Sequence, residues 1–148
     1  DIRKETENGI EQFRRMRAMN PNVRRAVHNQ YAHLAILDYR VGEYARARKS
    51  LETVLAEQKA AGREDDLDPP YGLCWYNLAC LHALEGNPDE AIRAFERAVR
   101  PGNVSTDWTR RDRDLDAVRA DPRYETLMRE AERIEKEGNR VRRVLKLQ

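Results

Sequence analysis

The sequence predicts an all-α protein built from antiparallel helical hairpins. Apolar residues recur at spacings of three and four along nearly all of its 148 residues, which is the period of an amphipathic helix. No stretch shows the alternation of apolar and polar residues, bounded by turn residues, that is typical of a strand. A third observation is internal repetition, because a shift that lays Tyr31 on Trp75 also superposes the apolar positions and the glycine that follow. A chain of this length is expected to form one domain.

The clearest hairpin is predicted in the stretch WYNLACLHALEGNPDEAIRAFERAV, which is broken once by Gly, Asn and Pro. Gly86 follows the apolar positions of the first helix, and we expect it to adopt the left-handed conformation of a helix C-cap. Asn87 is expected to cap the second helix, with Pro88 in its first turn and Glu90 completing a capping box. Because this connection is so short, the two helices must be antiparallel. The second helix is predicted over 88–100, and its apolar face consists of Ala91, Ile92, Phe95, Ala98 and Val99.

The same pattern occurs earlier in the chain. The aligned pairs are Tyr31 with Trp75, Leu34 with Leu78, Ala35 with Ala79, Gly42 with Gly86, Ala47 with Ala91, and Leu51 with Phe95. This order of an aromatic residue, Leu, a small residue, a turn Gly, Ala and a large apolar residue resembles the tetratricopeptide repeat. The period of that family is about 34 residues. The longer spacing here is explained by KAAGREDDLDPP, which is expected to lengthen the second helix and add a polar connection. The resemblance implies a right-handed superhelical stack of hairpins in which small residues pack closely.

Weaker versions of the pattern flank the two hairpins. NGIEQFRRMRAMNPN resembles the second helix of a preceding repeat, and the residues in register are Gly9, Ile10, Phe13, Met16 and Pro21. DLDAVRADPRY resembles the helices that often close such arrays in bacterial proteins. We therefore expect a single domain over 1–148, divided into a partial repeat or cap (1–22), a repeat with an extended second helix (23–69), a second repeat (70–103) and capping helices (104–148).

A long C-terminal helix is predicted to begin at Pro122, with Asp121 as its cap. Along it Leu127, Ala131, Ile134, Gly138, Val141 and Leu145 form a heptad-like stripe. The residues of this stripe that could pair with a second copy are Leu127, Ile134, Val141 and Leu145. The sequence leaves open whether the helix is continuous through Gly138. It also leaves open whether the stripe packs on the repeats or on another copy of the chain.

The resemblance implies that a partner protein binds in a concave groove formed by the first helix of each repeat. The candidate groove residues are Asn29, His33, Ile36, Tyr39, Arg40, Leu73, Tyr76, Asn77, Cys80 and Leu84. They form one stripe on each helix, and the two stripes are expected to adjoin in a groove of mixed polarity. Asn77 stands where some family members hold a C-terminal carboxylate, although the accompanying basic residues are absent from the first stripe. Whether a partner or the chain's own C-terminal helix fills the groove is left open.

Composition argues against several classes of partner. With a net charge of +2, the chain is not expected to bind nucleic acid or a membrane surface, and no apolar run is long enough to span a bilayer. We therefore expect a cytoplasmic protein. Cys74 and Cys80 are expected to be free, buried thiols in a reducing compartment, since their spacing along one helix fits neither a disulfide nor a metal site.

The sequence contains no recognised catalytic motif, phosphate-binding loop or metal-ligand spacing. We therefore expect no enzymatic activity, no cofactor and no metal. The leading hypothesis is a non-enzymatic scaffold that binds a peptide or helix of a partner protein. The alternative is a structural module in which the groove or the C-terminal stripe is occupied by a second copy of the chain, giving a homodimer.

Overall fold

The computed structural model describes residues 1–16, 20–100, 102 and 104–146, with side chains described except at 12–16 and 141–146. Phe13 and Met16, which the sequence predicts to be in register with the repeat, are among the residues whose side chains are not described. Within the described residues there are helices and no strands, which confirms the all-α prediction. The elements are α1 (Ile2–Met16), α2 (Pro21–Arg40), α3 (Tyr44–Ala60), α4 (Tyr71–Leu84), α5 (Pro88–Val99), α6 (Thr106–Arg111), a 3₁₀ helix (Arg113–Val118) and α7 (Pro122–Lys146). They form two compact units, residues 1–74 and 75–148, and α4 begins in the first and ends in the second.

The first unit is organised around the hairpin of α2 and α3. Gly42 in the connection has a φ of +81°, the left-handed conformation that favours glycine. α2 begins at Pro21 and is capped by the side chain of Asn20. Small residues pack where the sequence predicts, because Ala35 and Ala47 are both buried. α3 has 17 residues against 12 in α5, so the second helix of this hairpin is longer, but only Lys59 and Ala60 of the segment KAAGREDDLDPP belong to it.

α1 packs on α2 through both apolar and charged contacts. Ile10 is buried in one apolar cluster with Val27 and Leu34. Asp38 on α2 is also buried, and its carboxylate accepts a hydrogen bond from the guanidinium of Arg3 on α1. A buried carboxylate requires such a partner, because an unpaired charge away from water is strongly destabilising. The ion pair therefore fixes α1 against the hairpin.

A buried histidine joins α2 to α3 and to the start of α4. His28 is 0% exposed, with Nδ1 2.9 Å from the Tyr71 hydroxyl and Nε2 3.0 Å from Oε2 of Glu57. A carboxylate can only accept a hydrogen bond, so Nε2 carries the ring proton and donates to Glu57, while Nδ1 accepts from Tyr71. Burial raises the pKa of Tyr71 above its ordinary value, so its hydroxyl keeps the proton that it donates. Both ring nitrogens thus have the partners that a buried imidazole requires.

The second unit begins with most of α4 and continues with α5. Gly86 between them has a φ of +77° and adopts the predicted left-handed conformation. The predicted capping box is wrong, because the Asn87 side chain makes no cap hydrogen bond and Glu90 accepts from Arg93 at 2.8 Å instead. Asn87 has a ψ of 74°, short of the extended conformation in which a cap side chain reaches the first turn. The predicted apolar face of α5 is buried at every position: Ala91, Ile92, Phe95, Ala98 and Val99.

The 3₁₀ helix and α7 pack on α5. Asp112 caps the 3₁₀ helix, and Asp121 directly precedes α7. The ring of Tyr124 stacks on Phe95 of α5, with the ring centroids 5.4 Å apart. α7 runs through Gly138 as one helix, and a Cβ added at that glycine would meet no atom within 4 Å. Gly138 is therefore neither a break in the helix nor a point of close contact.

Candidate partner-binding surface

The outward face of α2 lies opposite the side that α2 buries. Val27 and Leu34 face the core, while the groove residues predicted from the sequence recur at helical spacings on the other side. The structure leaves Asn29, His33 and Arg40 exposed, with Ile36 and Tyr39 half-buried. The ring of Tyr39 packs on that of Tyr44, with the centroids 5.7 Å apart. This face of α2 is therefore mostly polar.

The corresponding face of α4 is more apolar. Leu73 is 54% exposed and Leu84 is 38% exposed, with Asn77 half-buried between them along the helix. Most other residues of α4 are buried, so these leucines stand out as apolar side chains left in water. Leu73 and Leu84 share one face of α4, and each offers apolar surface to a partner.

Two further residues of this stripe are covered by the chain itself. The Tyr76 hydroxyl donates to Oδ2 of Asp112 at 2.6 Å, and Sγ of Cys80 lies 3.8 Å from the same oxygen. Oδ1 of Asp112 accepts from the backbone N–H of Asp114 at 3.1 Å, and Arg119 donates to the Asp112 carbonyl at 2.5 Å. Cys80 is consequently only 3% exposed and adds no accessible surface. Periodicity along α4 could not indicate this, since it does not say which segment packs beside the helix.

Burial also sets the chemistry of the two thiols, both of which are free. Burial raises the pKa of Cys74 to about 12. Burial, with a smaller contribution from the negative charge of Asp112, raises the pKa of Cys80 well above its ordinary value. A protonated thiol is a poor nucleophile and a poor metal ligand. These cysteines are therefore core residues with little reactivity at neutral pH.

The described residues contain neither a candidate metal site nor a candidate membrane-spanning helix. In that part of the chain, no group of three or more His, Cys, Asp or Glu side chains is placed to hold a metal ion. Over the same residues, no helix combines the length and the apolar character needed to cross a bilayer.

The four residues predicted for self-association divide into two pairs. Leu127 is buried in the second unit, and Ile134 is half-buried with its Cγ2 only 2.7 Å from where a Cβ on Gly102 would lie. The side chains of Val141 and Leu145 lie outside the described ones. The first pair thus packs within its own unit, and association through the second pair stays a prediction.

Sequence analysis missed four exposed apolar side chains, of which Ile2 lies at the start of α1. Trp108 on α6 is 61% exposed, and Leu37 and Val41 near the end of α2 are also exposed. Helical periodicity could have indicated that Trp108 is exposed. α6 buries Thr106 and Thr109, and a residue two positions after Thr106 points to the other side of a helix. Leu37 and Val41 flank the predicted stripe of α2 and fall in neither the core pattern nor the groove pattern.

Comparison with known proteins identifies one segment. The tetratricopeptide repeat family matches residues 72–100, which include most of α4 and all of α5. No curated protein and no solved structure matches the chain. The matched segment contains the buried small residues Ala79 and Ala91, and three accessible residues of the outward stripe: Leu73, Asn77 and Leu84.

Proposed function

Residues 72–100 of this chain form a tetratricopeptide repeat, and on that premise we propose that the chain is a non-enzymatic module that binds a peptide or helix of a partner protein. Repeats of this kind generally mediate protein–protein interactions through the surface formed by stacked helices. In this proposal the partner contacts the outward stripe of α4 within the matched repeat.

The observation that carries the proposal is the apolar character of the α4 stripe inside the matched repeat. The Leu84 side chain is 38% exposed, and the half-buried Asn77 lies on the same outward face of α4. Burying the leucine against a partner would supply affinity, because apolar surface removed from water is the main favourable term in association. The Asn77 amide, which both donates and accepts hydrogen bonds, would fix the register of an extended or helical peptide.

A photo-crosslinking experiment tests this surface directly. A photoreactive amino acid is placed at Asn77 and, in a matched variant, at Arg93, an exposed residue of α5 in the same repeat. We expect crosslinks to a partner protein in cells from position 77 and none of the same partner from position 93. Leu84→Glu should reduce capture of that partner while the melting temperature stays near that of the wild type. Equal crosslinking from both positions, or unchanged capture by Leu84→Glu, would contradict the proposal.

A homo-oligomer is the second candidate, and the continuity of α7 favours it. Leu127 and Ile134 are engaged within the second unit, yet the helix continues to Lys146. A second copy would then pair through the distal residues Val141 and Leu145. Light scattering should show a dimer whose fraction rises with concentration, and Leu145→Asp should dissociate it. A wild-type chain that stays monomeric at every concentration would exclude this candidate.

A further inference from the structure

A small pocket lies on the first unit where α2 begins and the α3–α4 connection folds back. Its volume is about 220 Å³, and the residues lining it include Arg24, Arg25, Arg63, Asp66 and Tyr71. Three guanidinium groups and one carboxylate among these lining residues leave a surplus of two positive charges. The first turn of α2 also borders the pocket, and the N-terminal end of a helix carries a partial positive charge.

Arg25 and Asp66 form the fixed frame of this pocket. Nη2 of Arg25 lies 2.5 Å from Oδ2 of Asp66, and Nη1 donates to the carbonyl of Pro69 at 2.7 Å. The guanidinium also lies over the ring of Tyr71, 5.4 Å from its centroid. Gln58 donates to the Asp66 carbonyl and ties the connection back to α3. The charge of Arg25 is therefore already neutralised, and its position is set by several contacts.

Arg24 and Arg63 are different. Arg24 on α2 is half-buried and Arg63 in the connection is exposed, and neither guanidinium has a hydrogen bond or ion pair with another described residue. They reach the pocket from different segments of the chain. Two unpaired guanidinium groups around one small cavity repel each other, so an anion bound between them would relieve an unfavourable interaction as well as form new hydrogen bonds.

We propose that this pocket binds a phosphate monoester dianion, with Arg24 and Arg63 as the binding residues. Guanidinium groups match the geometry of phosphate oxygens and form charge-assisted hydrogen bonds with them. A phosphate monoester carries a charge near −2 at neutral pH, which balances the surplus of the lining residues. The volume is below the range of about 300–1,000 Å³ typical of pockets for drug-sized ligands, so the pocket takes the phosphate group and leaves the rest of the molecule outside. The ester is either a free metabolite or a phosphorylated side chain of a protein.

The test is a set of titrations of the full chain at constant ionic strength, followed by nuclear magnetic resonance of the arginine Nε–H groups. Inorganic phosphate, a phosphoserine peptide, the same peptide without phosphate, and acetate are added separately. We expect saturable shifts with phosphate and with the phosphopeptide, and none with acetate or the unmodified peptide. A phosphopeptide that binds more tightly than phosphate would identify a protein side chain as the source, and equal affinity would identify a free ester. Either result supports the pocket.

Substitutions of single arginines test which side chains bind the phosphate. Arg24→Gln or Arg63→Gln should weaken phosphate binding about tenfold, with melting nearly unchanged because neither guanidinium has a hydrogen bond or ion pair with another described residue. Arg113→Gln is the matched control, since it removes the same charge from an exposed position that neither lines the pocket nor belongs to the candidate partner-binding surface. Absence of saturable phosphate binding, equal binding of acetate, or equal weakening by Arg113→Gln would overturn the proposal. Arg24 and Arg63 lie outside the candidate partner-binding stripes, so failure here leaves the proposed function untouched.

Discussion

Replacing Asp112 by Ala should release the 3₁₀ helix from α4 and expose the thiol of Cys80. The Asp112 carboxylate accepts hydrogen bonds from the Tyr76 hydroxyl at 2.6 Å and from the backbone N–H of Asp114 at 3.1 Å. Truncation to a methyl group removes both acceptors at once. The hydroxyl and the N–H then remain without these partners, while the side chain that shields Cys80 is gone.

The loss of stability can be worked from these two contacts. A hydrogen bond to a charged group contributes about 1.5–3 kcal/mol, and a helix-capping side chain about 0.5–2 kcal/mol. Because Asp112 is half-buried, water replaces part of each contact, and the lower end of both ranges applies. We therefore expect the free energy of unfolding to fall by about 2 kcal/mol. For a chain of 148 residues this corresponds to a melting temperature lower by about 4–8 °C.

Urea unfolding and thiol labelling of the native protein measure the two consequences separately. Cys74, which is 1% exposed, is the internal reference for a thiol that stays buried. Asp116→Ala is the matched control, because Asp116 is an exposed carboxylate on the same 3₁₀ helix whose ion pair is with Arg119 at 3.1 Å, and it should change stability by less than about 0.5 kcal/mol. If Asp112→Ala unfolds like the wild type and Cys80 reacts no faster than Cys74, the carboxylate does not hold this segment.

Three further substitutions probe other contacts. Ala91→Arg should prevent folding, because a charged side chain would enter a fully buried helix contact. Circular dichroism measures the helix content of this variant against that of Ala45→Arg, a control at an exposed position. A stable Ala91→Arg variant would contradict the hairpin register. His28→Leu leaves a buried hydroxyl and a carboxylate without their imidazole partner, so urea unfolding should show a loss of about 2–3 kcal/mol, and a change near zero would argue against these two hydrogen bonds. A hydrogen bond from Arg110 lowers the pKa of Glu125, so this contact stabilises the fold fully above the ordinary glutamate pKa of about 4.3 and is lost as the pH falls through the lowered pKa. Glu125→Gln should therefore make the unfolding free energy less dependent on pH in the acid range, and an unaltered pH profile would refute the assignment.

The parts of the fold that the sequence predicts are those set by local chemistry. Gly86 adopts a positive φ because few other residues can, and Pro88 opens α5 because its missing N–H would have no partner in a first turn. The buried positions of Ala79 and Ala91 follow from helical periodicity. The capping box at Asn87 failed, because capping depends on backbone angles that residue type alone does not set.

The contacts within the candidate sites could not be predicted from the sequence, because they join segments that lie far apart along the chain. Cys80 and Asp112 are separated along the chain by α5, α6 and the connections that flank α5. Periodicity indicates which face of a helix is apolar but not which segment covers it. Arg25 and Asp66 are likewise brought together by the path of the α3–α4 connection. In the sequence that connection showed only a run of acidic residues, which more often indicates a solvated loop.

The turn after α5 limits which pairs of residues can occupy position 102 in the turn and position 134 in α7. Gly102 has a φ of +74° and donates its N–H to the Val99 carbonyl at 3.0 Å, and its Cα faces the branched side chain of Ile134. Asn tolerates such a backbone angle better than most residues, but its Cβ would collide with that branch. In relatives of this protein, Asn at the turn should therefore occur together with a residue as small as Ala at the helix position, and a large residue at the helix position should occur only with glycine at the turn.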